Sequence, residues 1–179
     1  MAVANTPASV PEMMVNAHPG TVLLRPYRWR SVGKRGIMIG MSTPKDIVRD
    51  FLLHVRSGRE VERVRQYMAD TVLAHQIQSE QRLTVDRSPE QYAEHVREMI
   101  EAYGDFDLTI DELLADGERV YARWTQVGRH VGEVDGFAPT GRPVTEVASA
   151  VYRVDSGQIV EYWIQIDRLG ITTQLQQGA

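Results

Sequence analysis

The sequence predicts an α+β fold in which helices pack on one face of a curved, largely antiparallel sheet. Two capped helical segments stand early in the body of the chain, opening at Thr43-Pro44-Lys45-Asp46 and at Ser88-Pro89-Glu90-Gln91. A long run of alternating segments joined by Asp116-Gly117 and Asp155-Ser156-Gly157 follows and reads as a strand meander. The chain has 179 residues, 42% hydrophobic and 25% charged, which is enough for one globular domain with its own core.

Residues 1–40 differ in kind from the rest. They hold four of the eight prolines and five basic residues (Arg25, Arg28, Arg30, Lys34, Arg35) against one acid, Glu12. They lack an apolar period and read as a disordered or loosely packed extension, or as sequence upstream of a true start at Met38 or Met41. A secretory signal would place its positive charge before an apolar run, and here the charge follows it. No window approaches a membrane span, so the expected location is cytoplasmic, with no membrane partner. The remainder carries 15 basic and 23 acidic residues, a balance of −8, which argues against nucleic acid as a partner.

In the body, expected at residues 41–179, Thr43 is an N-cap and Pro44 a first helical residue. Ile47, Val48, Phe51, Leu52 and Val55 recur at helical spacing until Ser57-Gly58. Val61, Val64, Tyr67 and Met68 mark a shorter helix, and Asp70–Ile77 a short strand ending near His75. Ser88 and Gln91 form a capping box for a third helix, with Tyr92, Val96, Met99, Ile100 and Tyr103 as its buried stripe and Gly104 as its stop. His54 and His95 are placed on helices as solvated or rim residues. Strands follow over Phe106–Leu114 and Val120–Val131, then a Gly/Pro-rich loop to Pro143. The last hairpin spans Val144–Gly170 around a type I turn with Gly157 at positive φ. Ile171–Gln176 reads as a final turn or short strand.

On the last strand, Val160, Tyr162, Ile164 and Ile166 make one apolar row, while Glu161, Trp163, Gln165 and Asp167 share the other face. A large aromatic beside an acid and an amide suits a pocket wall. The chain has no cysteine, which removes disulfides, thiolate zinc sites and cysteine nucleophiles. Its five histidines form no metal-ligand spacing, so no metal site is expected. There is no Walker loop, GxGxxG or GxSxG.

From Ser88 to Leu175 the sequence resembles the SnoaL-like polyketide and ester cyclases, a family of nuclear transport factor-like cone folds. The resemblance is carried by RWT-x-x-G-x-H-x-G-E (from Arg123), PTGRPV (139–144), DSGQIVEYW (155–163) and the ending D-x-x-x-x-x-x-QL from Asp167. It implies a six-stranded sheet folded as a cone around an apolar cavity, with about three helices closing it. It also implies a small apolar or aromatic substrate and a dimer or tetramer joined through the outer sheet face, for which the Val160–Ile166 row is the expected surface. The implied chemistry is a cofactor-independent intramolecular aldol closure of a polyketide-type substrate, with acid/base catalysis on Asp167, held dry beside Trp163.

His130, sharing a face with Trp124 and Gln126, is either a second catalytic group that stabilises enolate charge or an anchor for the following loop. His75, Trp124, Trp163, Gln165 and Arg153 are the candidate substrate-binding residues. Val151 and Arg153 stand where ring-closing members carry other polar groups, which points to a different substrate or reaction. The alternatives are another cone-fold reaction (hydration, isomerisation or epoxide opening) and a non-catalytic binding module. The last predicts Asp167 exposed, with no cavity beside it.

Overall fold

The computed structural model describes residues 42–178; the expected extension over 1–40 lies outside the described residues. Helix α1 (Pro44–Phe51) runs into a π-helical turn, Leu52–Arg56. A single 3₁₀ turn (Val61–Arg63) leads into α2 (Val64–Tyr67). Then come β1 (Met68–Gln76), β2 (Leu83–Arg87), α3 (Pro89–Tyr103), β3 (Asp107–Asp116), β4 (Arg119–Arg129), β5 (Pro143–Asp155), β6 (Gln158–Ile166) and α4 (Arg168–Gly178). The fold is α+β, with a six-stranded curved open sheet and four helices. No described helix is long and apolar enough to cross a membrane.

Both predicted capping boxes form. Thr43 Oγ1 accepts from the Asp46 N–H while the Asp46 carboxylate accepts from the Thr43 N–H, and Ser88 and Gln91 do the same for α3. Gly104 ends α3 at φ 65°, a conformation open to a residue without Cβ. The hairpin between β5 and β6 is tighter than expected. Asp155 pairs with Gln158, and Ser156 and Gly157 both adopt positive φ (50° and 86°), a two-residue turn that matches strand twist.

The strand order is β2-β1-β6-β5-β4-β3, antiparallel throughout except for the parallel pair β1·β6. Two elements depart from the expectations read off individual residues. Leu83–Arg87 is an edge strand too short to show alternation by itself, and Ile171–Gln176 belongs to a helix rather than to a turn or strand.

The helices cover one face of the sheet. Phe51 packs on Tyr67, Tyr92 and Tyr152 at ring separations of 6.3, 5.1 and 5.9 Å. Val72 and Ala74 from β1, Val120, Ala122 and Trp124 from β4, Ala148, Ala150, Tyr152 and Val154 from β5, and Ile159 and Tyr162 from β6 complete the core. Burying a side chain of this size stabilises by about 1.5–3 kcal/mol, so the covered face decides the register.

That register corrects the expected roles of the two β6 faces. Tyr162, Ile164 and Ile166 pair with Tyr152, Ala150 and Ala148 and lie against the core, so they form no outer interface. Only Val160 departs: Arg153 pairs with Glu161 and Val154 with Ile159, leaving Val160 as the extra residue of a bulge. Glu161, Trp163 and Gln165 consequently point to the uncovered, convex side.

Candidate functional site

The residues expected to meet in one pocket are divided between the two faces of the sheet. His75, Arg153, Trp163 and Gln165 are convex. There His75 donates or accepts at both ring nitrogens, to Thr84 Oγ1 at 2.8 Å and Glu161 Oε1 at 2.9 Å. Arg153 Nε donates to Glu161 Oε2 at 2.9 Å. The indole of Trp163 stacks on the His75 ring (4.9 Å, 9°), and the Arg119 guanidinium covers it at 4.8 Å. Trp163 is therefore kept half-buried by its neighbours on an open face. Glu161 is held below the usual carboxylate range by hydrogen bonds from Arg153 and His75, against the opposing effect of its partial burial.

Asp167 is also not where its expected role needs it. Its carboxylate is exposed, and Oδ1 accepts the Gly170 N–H at 2.9 Å, capping the first turn of α4. A side chain at Gly170 would strike this carboxylate, whose Oδ2 stands where a Cβ would be added. The strand leaves the sheet here, and the cap outcompetes any inward rotation.

Trp124 and His130 do lie inside, with Gln126 between them on β4. All three are almost fully buried (0%, 0% and 3% exposed). The His130 backbone ties down the following loop: its N–H donates to the Arg142 carbonyl and its carbonyl accepts the Gly141 N–H. Its Nδ1 lies 3.3 Å from Thr140 Oγ1, so the loop-anchoring contacts are present, while Nε2 has no partner among the described residues.

The chemistry-bearing cluster of the interior is one that the sequence reading missed. Arg56, on the π-helical turn, is 2% exposed. Its Nη2 donates to Glu146 Oε1 at 2.6 Å, its Nη1 to the Met99 sulfur at 3.0 Å, and its guanidinium lies 5.7 Å from the Trp124 ring centroid. Glu146 sits opposite Gln126 in the β4·β5 ladder. Tyr103, Gln126, Gly128, Val144, Glu146 and Ile171 line a recess beside this pair. The space left in it is about 10 Å³, room for about one water molecule. Gln126 Oε1 and Trp124 Nε1 find no hydrogen-bond partner among the described residues. Buried polar atoms are rarely left so.

A second group continues this cluster along the inner side of α3. His95 lies one turn from Tyr92 and one from Met99, and its buried Nδ1 makes no hydrogen bond among the described residues. Desolvation, reinforced by the positive charges of Arg56 and Arg87, pushes its pKa down to about 3 and keeps the ring neutral. Burial raises the phenols of Tyr92, Tyr152 and Tyr162, and pushes Tyr103 up to about 12, with Glu146 adding to the last. These hydroxyls stay protonated and are donors. His95 was readable as an inner residue, since it is three residues after Tyr92 and four before Met99. Arg56 had only its place after Val55 on an apolar helix to mark it. Among the described residues no group of three or more His, Asp or Glu is arranged to hold a metal ion.

This architecture has close counterparts. The profile of the SnoaL-like polyketide cyclases matches residues 46–175. A provisionally assigned polyketide cyclase from Acidithiobacillus ferrooxidans superposes with a TM-score of 0.68 at 28% identity, over 80% of this chain and all of that one. IdmH from Streptomyces antibioticus, also provisionally assigned as a polyketide cyclase, gives 0.65 at 24% identity over 75% and 99%. AclR from Streptomyces galilaeus, a provisionally assigned hydroxylase, gives 0.62 at 19% over 75% and 81%; the last two likenesses speak for the fold alone. No curated protein matches the sequence. With the profile covering nearly all of the described domain and the curved sheet superposing on these structures, the chain belongs to the SnoaL-like polyketide cyclase family.

Proposed function

We propose that the chain is a cofactor-independent enzyme that closes a ring in a polyketide-type substrate by intramolecular aldol chemistry, with Glu146 rather than Asp167 as the acid/base. The observation that carries this is the buried Arg56–Glu146 pair, 2.6 Å apart, beside the Gln126 amide oxygen, which has no hydrogen-bond partner among the described residues. An aldol closure removes a proton from a carbon between carbonyl groups and returns one to the new alkoxide. Glu146 Oε2 takes no hydrogen bond from the described residues and is open to that proton. Arg56 and the Tyr103 hydroxyl supply cation and donor for the enolate oxygen. In a site so little hydrated, such charges act strongly.

A substrate of this class needs roughly 300 Å³ or more, far beyond the recess as it stands. Ile171 on α4 forms one wall. The helix is held by Leu175 in the core, by two hydrogen bonds between Gln174 and the Thr145 backbone, and by Arg142 on the Gln177 carbonyl. Substrate entry by displacement of this helix follows the usual logic of a lid. Self-association belongs to the same proposal, through the convex face, where Leu73, Leu114, Val127 and Val147 are each 38–56% exposed.

The test is turnover on polycarbonyl aromatic precursors by Glu146→Gln and Asp167→Asn. The first should lose at least a hundredfold in kcat and the second stay within about threefold. The opposite pattern returns the acid/base to Asp167. A non-catalytic binding module is the second reading, favoured by the exposed Asp167 and the small recess; it predicts no turnover by the wild type across the same panel.

A further inference from the structure

The recess beside the Arg56–Glu146 pair is a small box built on the β4·β5 ladder. Gln126 stands opposite Glu146 and Gly128 opposite Val144, and all four line it. Residues two apart on a strand share a face, so these four form a patch on the covered side of the sheet. Tyr103, at the end of α3, and Ile171, on α4, close the box above them. Gly128 is what lets α3 come so near. A Cβ there would lie 2.7 Å from the Tyr103 carbonyl oxygen and 3.1 Å from the Tyr103 Cβ. The Val131 and Gly132 N–H groups, both donating to the Ala102 carbonyl at 3.0 Å, fasten the same helix end to the residues that follow β4.

The space enclosed, about 10 Å³, is too small for an organic group and large enough for one water. Its polar lining is one-sided. Gln126 is 3% exposed, and its Oε1 has no hydrogen-bond partner among the described residues. Glu146 gives Oε1 to Arg56, and its Oε2 takes no hydrogen bond from the described residues. An amide oxygen and a carboxylate oxygen can only accept. The Tyr103 phenol is the donor of the set: burial, with Glu146 and Asp135 adding to it, pushes its pKa up to about 12 and keeps its proton in place. Two acceptors and one donor around such a space are the complement of a water molecule, and buried waters make about three hydrogen bonds. We propose that the recess binds one water, which donates to Gln126 Oε1 and Glu146 Oε2, accepts from the Tyr103 hydroxyl, and relays a proton between the carboxylate and the phenol. This rests on the reading of Glu146 as the acid/base and assigns the path of its proton. Glu146 takes the proton from the carbon between two carbonyls, and the C–H electron pair stays behind as the enolate. Once the carbon–carbon bond has formed, Tyr103 gives its proton to the new alkoxide. The water passes one of its own to the Tyr103 oxygen and regains one from Glu146. Each group ends as it began, and the carboxylate need not reach both the carbon and the oxygen.

The experiment begins with a high-resolution crystal structure of the full wild-type chain, which needs no variant to fold. One water should stand within about 3 Å of both Gln126 Oε1 and Glu146 Oε2. A recess without it, or one filled by a side chain, overturns the proposal. Gln126→Leu removes an acceptor at similar volume and should lose the water while the Arg56–Glu146 contact stays; a water retained in that variant overturns the assignment to Gln126. In turnover on polycarbonyl aromatic precursors, Gln126→Leu and Tyr103→Phe should each lower kcat about tenfold with KM unchanged. The wild-type kcat should fall along a curve as deuterium oxide replaces water, as it does when several protons move together, and both variants should give a straight line. A straight line in the wild type, or full kcat in either variant, overturns the relay. Failure of the catalytic assignment has a different signature: the water is seen, yet Glu146→Gln turns over normally or the wild type turns over nothing.

Discussion

Acidification should destabilise this protein through His95, and substitution of that one residue should remove this part of the effect. The ring is neutral in the fold, with its pKa pushed down from 6.5 to about 3 by desolvation and by Arg56 and Arg87. Between those values the unfolded chain binds a proton that the folded one refuses, so stability rises with pH across the window and is lost as pH falls below about 6.5. At 1.36 kcal/mol per pH unit, full expression at pH 4.5 would be about 2.7 kcal/mol. The side chain is 23% exposed and its Nδ1 lies 3.9 Å from Glu98 Oε2, so partial hydration and that carboxylate reduce the loss to about 2 kcal/mol. Tyr92, the other polar group packed on the ring, stays protonated throughout. Urea denaturation at pH 7 and pH 4.5 measures the effect. The wild type should lose about 2 kcal/mol more than His95→Gln over that interval. Parallel losses in the two proteins would refute the buried, neutral assignment of His95.

The Arg56–Glu146 pair is expected to be costly to break and cheap to replace. Glu146→Leu strands a guanidinium that is 3% exposed and should cost about 3–5 kcal/mol, whereas the double variant Arg56→Met/Glu146→Leu should recover most of it in thermal melts. On the convex face, Val147→Lys should shift sedimentation toward the monomer without lowering the melting temperature of the fold, since Val147 is 42% exposed and contributes little to the core.

The fold was legible where local chemistry is strong and repeated. Both capping boxes, the Gly104 stop and the alternating rows of β4 and β5 stand in the structure as the sequence implies them, because each depends on residues within a few positions of one another. The same alternation separated the two rows of β6 but could not say which was covered. Trp163 looked too apolar to face outward. In the fold it is shielded by His75, from β1, and Arg119, from β4, partners 88 and 44 positions away that no local pattern reveals. The candidate site was less legible for the same reason. Arg56 and Glu146 are 90 residues apart, and neither belongs to a motif. Asp167 is the exception, since a helix N-cap needs only the residues just after it. Once α4 is recognised as a helix, that local bond is satisfied first.

The bulge at Val160 makes β6 two short strands of opposite phase. Ile159 and Tyr162, three positions apart, both reach the core (0% and 3% exposed), which an unbroken strand forbids because side chains change sides at every step. Deleting that single extra residue would therefore leave Ile159 and Tyr162 facing the core in unbroken alternation, whereas flattening the bulge with Val160 kept would seat Val160 opposite Val154 and turn Ile159 out to water, while everything beyond Glu161 stayed as it was.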